Sequence, residues 1–131
     1  MAARPEGRMI RQAARYWLAP VAWMAAIFVV SSVPGEKIPS VFPAQDILFH
    51  GVSYGILGLL FYRALKFSCP APRGAGLIAL AAFLAVLYGI SDEFHQSFIS
   101  GRNASLFDVA VDFAGALIGS AFAHLISPWL R

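Results

Sequence analysis

The stretch QDILFHGVSYGILGLLFYRAL, Gln45 to Leu65, decides the fold. Between Asp46 near its start and Arg63 near its end it has no Asp, Glu, Lys or Arg. About 20 residues at about 1.5 Å each cover about 30 Å, one hydrocarbon thickness, so the run is long enough to cross a bilayer as a helix. Pro39 and Pro43 precede it and Lys66 follows it, which bounds the helix on both sides. Three more runs share its character: Tyr16 to Val33, about Gly74 to Phe98, and Leu106 to Ile126. The first stops at Ser31-Ser32-Val33-Pro34-Gly35, where Pro34 cannot continue the backbone ladder, and the last stops before Pro128. The first run is read as a retained helix. Its 18 residues exceed the apolar core of a cleaved leader, usually about 7–15, and no A-x-A site follows it.

Composition agrees with this reading. Of 131 residues, 59 % are apolar before the 11 glycines are added, and 13 % are charged. A soluble domain has about 45–50 % apolar and roughly 25 % charged residues. Lipid is therefore the solvent for most of the chain. The single cysteine, Cys69, excludes a disulfide-stapled fold. Short linkers make sequential helices antiparallel neighbours. The expected fold is all-α: an integral membrane four-helix bundle with short loops, a single domain over 1–131, with helices near 16–33, 45–65, 74–98 and 106–126.

The formal charge of +3 matters less than its placement. With the chain start in the cytoplasm, Arg4, Arg8, Arg11, Arg15, Arg63, Lys66, Arg73 and Arg131 lie inside, and only Lys37 and Arg102 lie outside. The positive-inside bias thus puts both termini in the cytoplasm, in a multi-pass protein of the bacterial cytoplasmic (inner) membrane. Cations at the ends of apolar runs are topology signals, so no nucleic-acid partner is expected. The acids fall the other way. Glu36, Asp46, Asp92, Glu93, Asp108 and Asp112 collect at or just beneath the outer surface, and only Glu6 is inside. A polar site opening outward explains that segregation.

Asp46, His50 and Tyr54 are spaced i, i+4, i+8 and form one stripe along the second helix. Asp92 follows Tyr88 by four and precedes His95 by three, which gives the third helix a matching stripe. On the fourth, Asp108, Asp112, Gly115, Gly119 and Ala123 share a face whose small residues permit close backbone approach. Structural readings stand beside the functional ones. Asp46 suits the dipole of a first turn, Ser105-Leu106-Phe107-Asp108 is a capping-box pattern, and His95 suits a helix C-terminus. Tyr54 and Tyr88 are equally readable as packing. His50 and Asp112 are harder to dismiss, because ionisable groups at membrane depth are costly unless paired or functional.

These residues also carry a resemblance. Asp46-x3-His50-x3-Tyr54-x2-Leu57-Gly58, Asp92-Glu93-Phe94-His95-Gln96, Gly101-Arg102-x2-Ser105-x2-Asp108 and Gly115-x3-Gly119 resemble the VanZ-like family of small bacterial membrane proteins, over residues 45–120. Two positions depart from that pattern: Ile47, where Lys often follows the Asp, and Asp112, where Asn is common. The resemblance implies a cell-envelope role, the family's namesake being associated with resistance to the glycopeptide teicoplanin.

The leading expectation is hydrolase- or phosphatase-type chemistry on a lipid or lipid-linked envelope substrate. His50, His95, Asp92, Glu93 and Asp108 are its candidate catalytic residues, and Asp46, Tyr54, Tyr88, Gln96, Arg102 and Asp112 its candidate binding residues. Arg102 suits a phosphate fork, and a histidine oriented by a carboxylate suits acid–base or nucleophilic work. No cofactor motif is present, although Asp, Glu and His donors are those a divalent metal accepts. The alternative is non-catalytic binding of an envelope lipid, a peptidoglycan precursor or a glycopeptide. Proton-coupled transport fits poorly, since no internal repeat is visible. Membrane lipids are the expected partners; the sequence leaves the oligomeric state open.

The charge reading makes a direct prediction. Cys69 lies in the cytoplasmic loop flanked by Arg63, Lys66 and Arg73, so a membrane-impermeant thiol reagent should label it only after intact cells are permeabilised. Labelling before permeabilisation would reverse the orientation.

Overall fold

The computed structural model describes residues 5–69 and 71–129, and for residues 5, 6, 8, 9 and 12 the backbone alone. The charges read at Arg4 and Arg131, and the side chains of Glu6 and Arg8, lie outside the described residues. The described chain forms four α-helices and no strand: α1 Pro5–Ser31, α2 Gln45–Ser68, α3 Ala75–Gln96 and α4 Leu106–Ile126, with short 3-10 turns at Gly35–Lys37 and Ser127–Trp129. Each of the four is long and apolar enough to cross a membrane. The all-α, four-helix architecture expected from the apolar runs is the one observed.

The boundaries differ from expectation where hydropathy and helix propensity part company. α1 begins at Pro5 rather than Tyr16. The segment ahead of the apolar run is rich in Ala, Arg, Met and Gln, all strong helix formers, and Pro is tolerated in a first turn. The apolar span within α1 is Ala13–Ser31. α2 runs on past Arg63 and Lys66 to Ser68, and α3 gives way after Gln96 to tight turns in which Phe98 N–H bonds His95 O and Ile99 N–H bonds Gln96 O.

Consecutive helices run antiparallel, which makes α2 and α4 parallel to each other. Gly51 faces Gly115, Gly55 faces Gly119, and further along Tyr62 Oη meets His124 Nδ1 at 2.8 Å while Lys66 Nζ donates to Ser127 O at 3.3 Å. The contact is backbone on backbone. A Cβ added at Gly119 would strike the carbonyl of Gly55, one at Gly115 the carbonyl of Gly51, and one at Gly58 the carbonyl of Ala116. Lipid supplies little hydrophobic drive between helices, so close packing of small residues is what holds such a pair.

α1 leans on α2 and α3 through polar pins. Trp17 Nε1–H donates to Ser68 Oγ and Trp23 Nε1–H to Ser53 O, both at 2.9 Å, and Tyr88 Oη donates to Met24 O at 2.6 Å. Burial departs from that of a soluble protein: beside an apolar core that includes Leu57, Phe61 and Leu77, polar groups are buried while large apolar ones are exposed. Asp112 and Ser120 are fully buried, and Asp92, Glu93 and Gln96 nearly so, while Leu18, Ile118, Phe94 and Leu125 stand exposed. A surface of large apolar side chains, with the polar groups kept inside, suits lipid as solvent.

The glycine contact predicts sensitivity to size. Gly115→Leu and Gly119→Leu should each lower stability in detergent by about 3 kcal/mol or more, at or above the upper end for overpacking. Ile118→Ala, on the exposed side of the same helix, should stay within about 0.5 kcal/mol. Wild-type melting in both glycine variants would contradict the contact.

Candidate functional site

The close approach of α2 and α4 places His50, beside Gly51, against Asp112. His50 Nδ1–H donates to Asp112 Oδ1 at 2.9 Å, and its other ring nitrogen, Nε2, faces Glu93 Oε1 of α3 at 3.8 Å. One imidazole therefore stands between carboxylates of two other helices. Asp112 has room there because residue 89 of α3 is glycine: a Cβ at Gly89 would sit 2.7 Å from Asp112 Oδ2.

A second group lies on the α1 side of His50. Tyr54 Oη and Gln96 Nε2 both donate to Asp92 Oδ2 at 3.2 Å, and Gln96 also reaches Ser31 Oγ at 3.4 Å. The Tyr54 and His50 rings lie nearly parallel, 6.2 Å apart, which links the two groups along α2. Asp92 Oδ1, Glu93 Oε1 and Asp112 Oδ2 are buried without a hydrogen-bond partner among the described residues. Three free carboxylate oxygens so close to the bundle centre are the unusual feature of the site.

Glu93 has a further tie that the sequence reading assigned elsewhere. The Ser105 backbone N–H, which a capping box would give to Asp108, donates to Glu93 Oε2 at 2.9 Å. Ser105 Oγ still accepts from Phe107 N–H at 3.1 Å and caps α4. Asp108 is half-buried in the first turn of α4 and Asp46 is exposed in the first turn of α2, where both suit the helix dipole.

Two of the candidate residues, Arg102 and His95, do not pair with the buried carboxylates. Arg102 turns to the end of α1, donating through Nε to Val33 O at 3.1 Å and through Nη2 to Val30 O at 2.9 Å. A guanidinium on terminal carbonyls is a C-terminal cap, favoured by the helix dipole. His95 stacks on Phe28 with centroids 4.5 Å apart, and its Nε2–H donates to Ser32 Oγ at 2.9 Å, since that hydroxyl donates onward to Phe28 O. Tyr88 serves α1 as well. These three residues fasten α1 to the bundle. In the loop outside the spans, Glu36 is held below the usual carboxylate range by the Ser100 hydroxyl and then by its own backbone N–H, with burial opposing weakly.

The two groups meet a cavity of about 440 Å3 between α1 and α2. Its walls are apolar, among them Trp23, Ile27, Val30, Phe49 and Ile56, and its floor holds His50, Tyr54, Asp92 and Gln96, with Asp46 and Arg102 at its polar end. Ala26, Val30, Phe49, Val52 and Ile56 are exposed on its rim, so it opens sideways on the lipid-facing surface. Glu93 and Asp112 stand behind His50. Gly51, Gly55 and Gly89 are the positioning residues that the sequence reading did not single out. For the first two the signal was present, as a second small-x3-small pattern on α2.

No curated protein and no solved structure matches the chain significantly. The VanZ/LLP1 family model matches residues 13–127, a stretch that takes in the described part of all four membrane-spanning segments except the last residues of the fourth. The chain is a multi-pass membrane protein belonging to the VanZ/LLP1 family.

Proposed function

We propose that the protein hydrolyses a lipid or lipid-linked substrate of the bacterial cell envelope, which enters sideways between α1 and α2. The observation that supports this reading is the joining of an apolar, lipid-facing groove to a floor of oriented acid–base groups. A lipid tail matches the groove wall, leaving the headgroup at His50 and Asp92. Asp92 has the form of a general base. Tyr54 and Gln96 hold its Oδ2, and its Oδ1 is free. A carboxylate held by one oxygen can take a proton from water through the other; the hydroxide so formed attacks the headgroup ester, and the proton passes to the alcohol that leaves as the ester bond breaks. The polar end of the bundle faces outward in this reading, with both chain ends cytoplasmic in the inner membrane, on the strength of the cation distribution. An outer-leaflet substrate fits the envelope role, and the link to teicoplanin-type resistance, that the family resemblance implies.

Binding without turnover is the second reading, and Arg102 favours it. Its two bonds to α1 carbonyls engage the guanidinium that a phosphatase would aim at its substrate. The two readings separate in nanodiscs of bacterial polar lipids, with bound lipids and products followed by mass spectrometry. Wild-type protein should retain a lipid and convert it. Asp92→Asn should retain the lipid while conversion falls by about 100-fold or more, as expected for loss of a general base. Ala26→Trp, which fills the groove from its rim, should reduce retention at unchanged helicity. Retention without conversion by the wild type would establish the binding reading, and equal turnover by wild type and Asp92→Asn would overturn the proposed base.

A further inference from the structure

We propose that His50, Glu93 and Asp112 form a site for one divalent transition-metal ion of the Mn2+ or Zn2+ class. The three residues come from three helices, and each offers a ligand atom within 4.8 Å of the other two. Glu93 Oε1 and Asp112 Oδ2 are free of any hydrogen-bond donor among the described residues, although Glu93 is 6 % exposed and Asp112 0 %.

A protonated His50 does not resolve this arrangement. Its Nδ1 serves Asp112 Oδ1, while its Nε2 lies 3.8 Å from Glu93 Oε1, too far for a hydrogen bond. Two metal bonds of about 2.0–2.2 Å span up to about 4.2 Å, so one ion can bridge that gap. Charge points the same way. Two carboxylates and a neutral imidazole become neutral overall with a divalent ion, the condition under which such groups are tolerated at membrane depth.

The donor set selects the class of ion. One imidazole with two carboxylates is mixed nitrogen and oxygen, whereas Mg2+ and Ca2+ favour all-oxygen shells and Cu(I) favours sulfur. The surroundings suit a site as well. Ser105 N–H fixes the far oxygen of Glu93, the kind of outer bond that orients a ligating carboxylate. Gly89, with no Cβ, lets the Asp112 carboxylate lie against α3, the helix of Glu93. Three protein donors leave at least one coordination position open, where an ion lowers the pKa of bound water and polarises a phosphoryl oxygen. Such an ion would also reconcile an acidic floor with an anionic headgroup. That last point rests on the proposed lipid chemistry; the site itself does not.

The test uses the full chain in detergent, stripped with a chelator and titrated with Mn2+ or Zn2+ alone, without added lipid. About one ion per chain should bind with micromolar or tighter affinity. Glu93→Gln and Asp112→Asn should each weaken binding by at least about tenfold, and Glu36→Gln, in the outer loop, should leave it unchanged. Helicity and monodispersity report whether each variant folds. Should either fail to fold, the visible spectrum of Co2+-loaded wild type decides, with low-intensity bands of a nitrogen–oxygen shell supporting the site and the spectrum of free aqueous Co2+ overturning it. Absence of binding at millimolar metal, or equal loss in Glu36→Gln, would also overturn it. Metal binding without lipid turnover would sustain the site and overturn the proposed chemistry; turnover by metal-free protein would sustain that chemistry and overturn the ion's part in it.

Discussion

A carboxylate with no exposed surface, Asp112, sits inside a helix surrounded by lipid-facing side chains, and the rest of the structure is arranged around its accommodation. Its partner is His50, at 2.9 Å. That bond exists only because α2 and α4 meet backbone to backbone, and they do so because Gly51, Gly55 and Gly58 oppose Gly115, Gly119 and Ala116. Gly89 completes the arrangement by leaving space for the second carboxylate oxygen. Small residues in a membrane helix are usually described as an adhesive. Here the adhesive also sets the distance between an imidazole and a buried acid. Packing and site share one set of glycines.

α1 plays a different part. It is held by side chains that reach in both directions: Arg102 of the α3–α4 loop on the carbonyls of Val30 and Val33 and His95 on Ser32, at and just past its end, Tyr88 on Met24, and its own Trp23 on the Ser53 carbonyl of α2. Most of these pins end on α1 backbone or hydroxyl groups, each a modest interaction. They leave between α1 and α2 the groove whose floor is His50 and Asp92. A core of three helices thus carries the buried acids, and a fourth helix pinned at its edge forms a wall of the groove.

Much of the fold was legible in the sequence because lipid imposes one simple demand: long runs without charge. Hydropathy is silent about the helix that continues past the lipid, which is why α1 begins well before Tyr16. The site was legible by residue type and only partly by partner. His50, Tyr54, Asp92, Glu93, Gln96 and Asp112 do come together, because residues three or four apart share a face. Asp46 stands apart from these pairs, at the polar end of the cavity, because each i+4 step drifts by about 40° and two steps turn it about 80° from Tyr54. Arg102 and His95 take partners that the sequence did not show, for another reason. Their partners are the carbonyls of Val30 and Val33 and the Ser32 hydroxyl, at and just past the end of α1, and sequence spacing within one helix says nothing of where a different helix ends. Ser105 shows the same limit, its N–H going to Glu93 instead of Asp108.

The central claim is that His50 and Asp112 are energetically one unit, brought together by the α2–α4 contact. A double-mutant cycle with His50→Ala and Asp112→Ala, read by reversible unfolding in mixed micelles, measures that directly. The coupling between the two should be about 1–3 kcal/mol, with the double variant less destabilised than the sum of the single ones. Additivity within about 0.5 kcal/mol would show that the two side chains act independently, and would contradict the account.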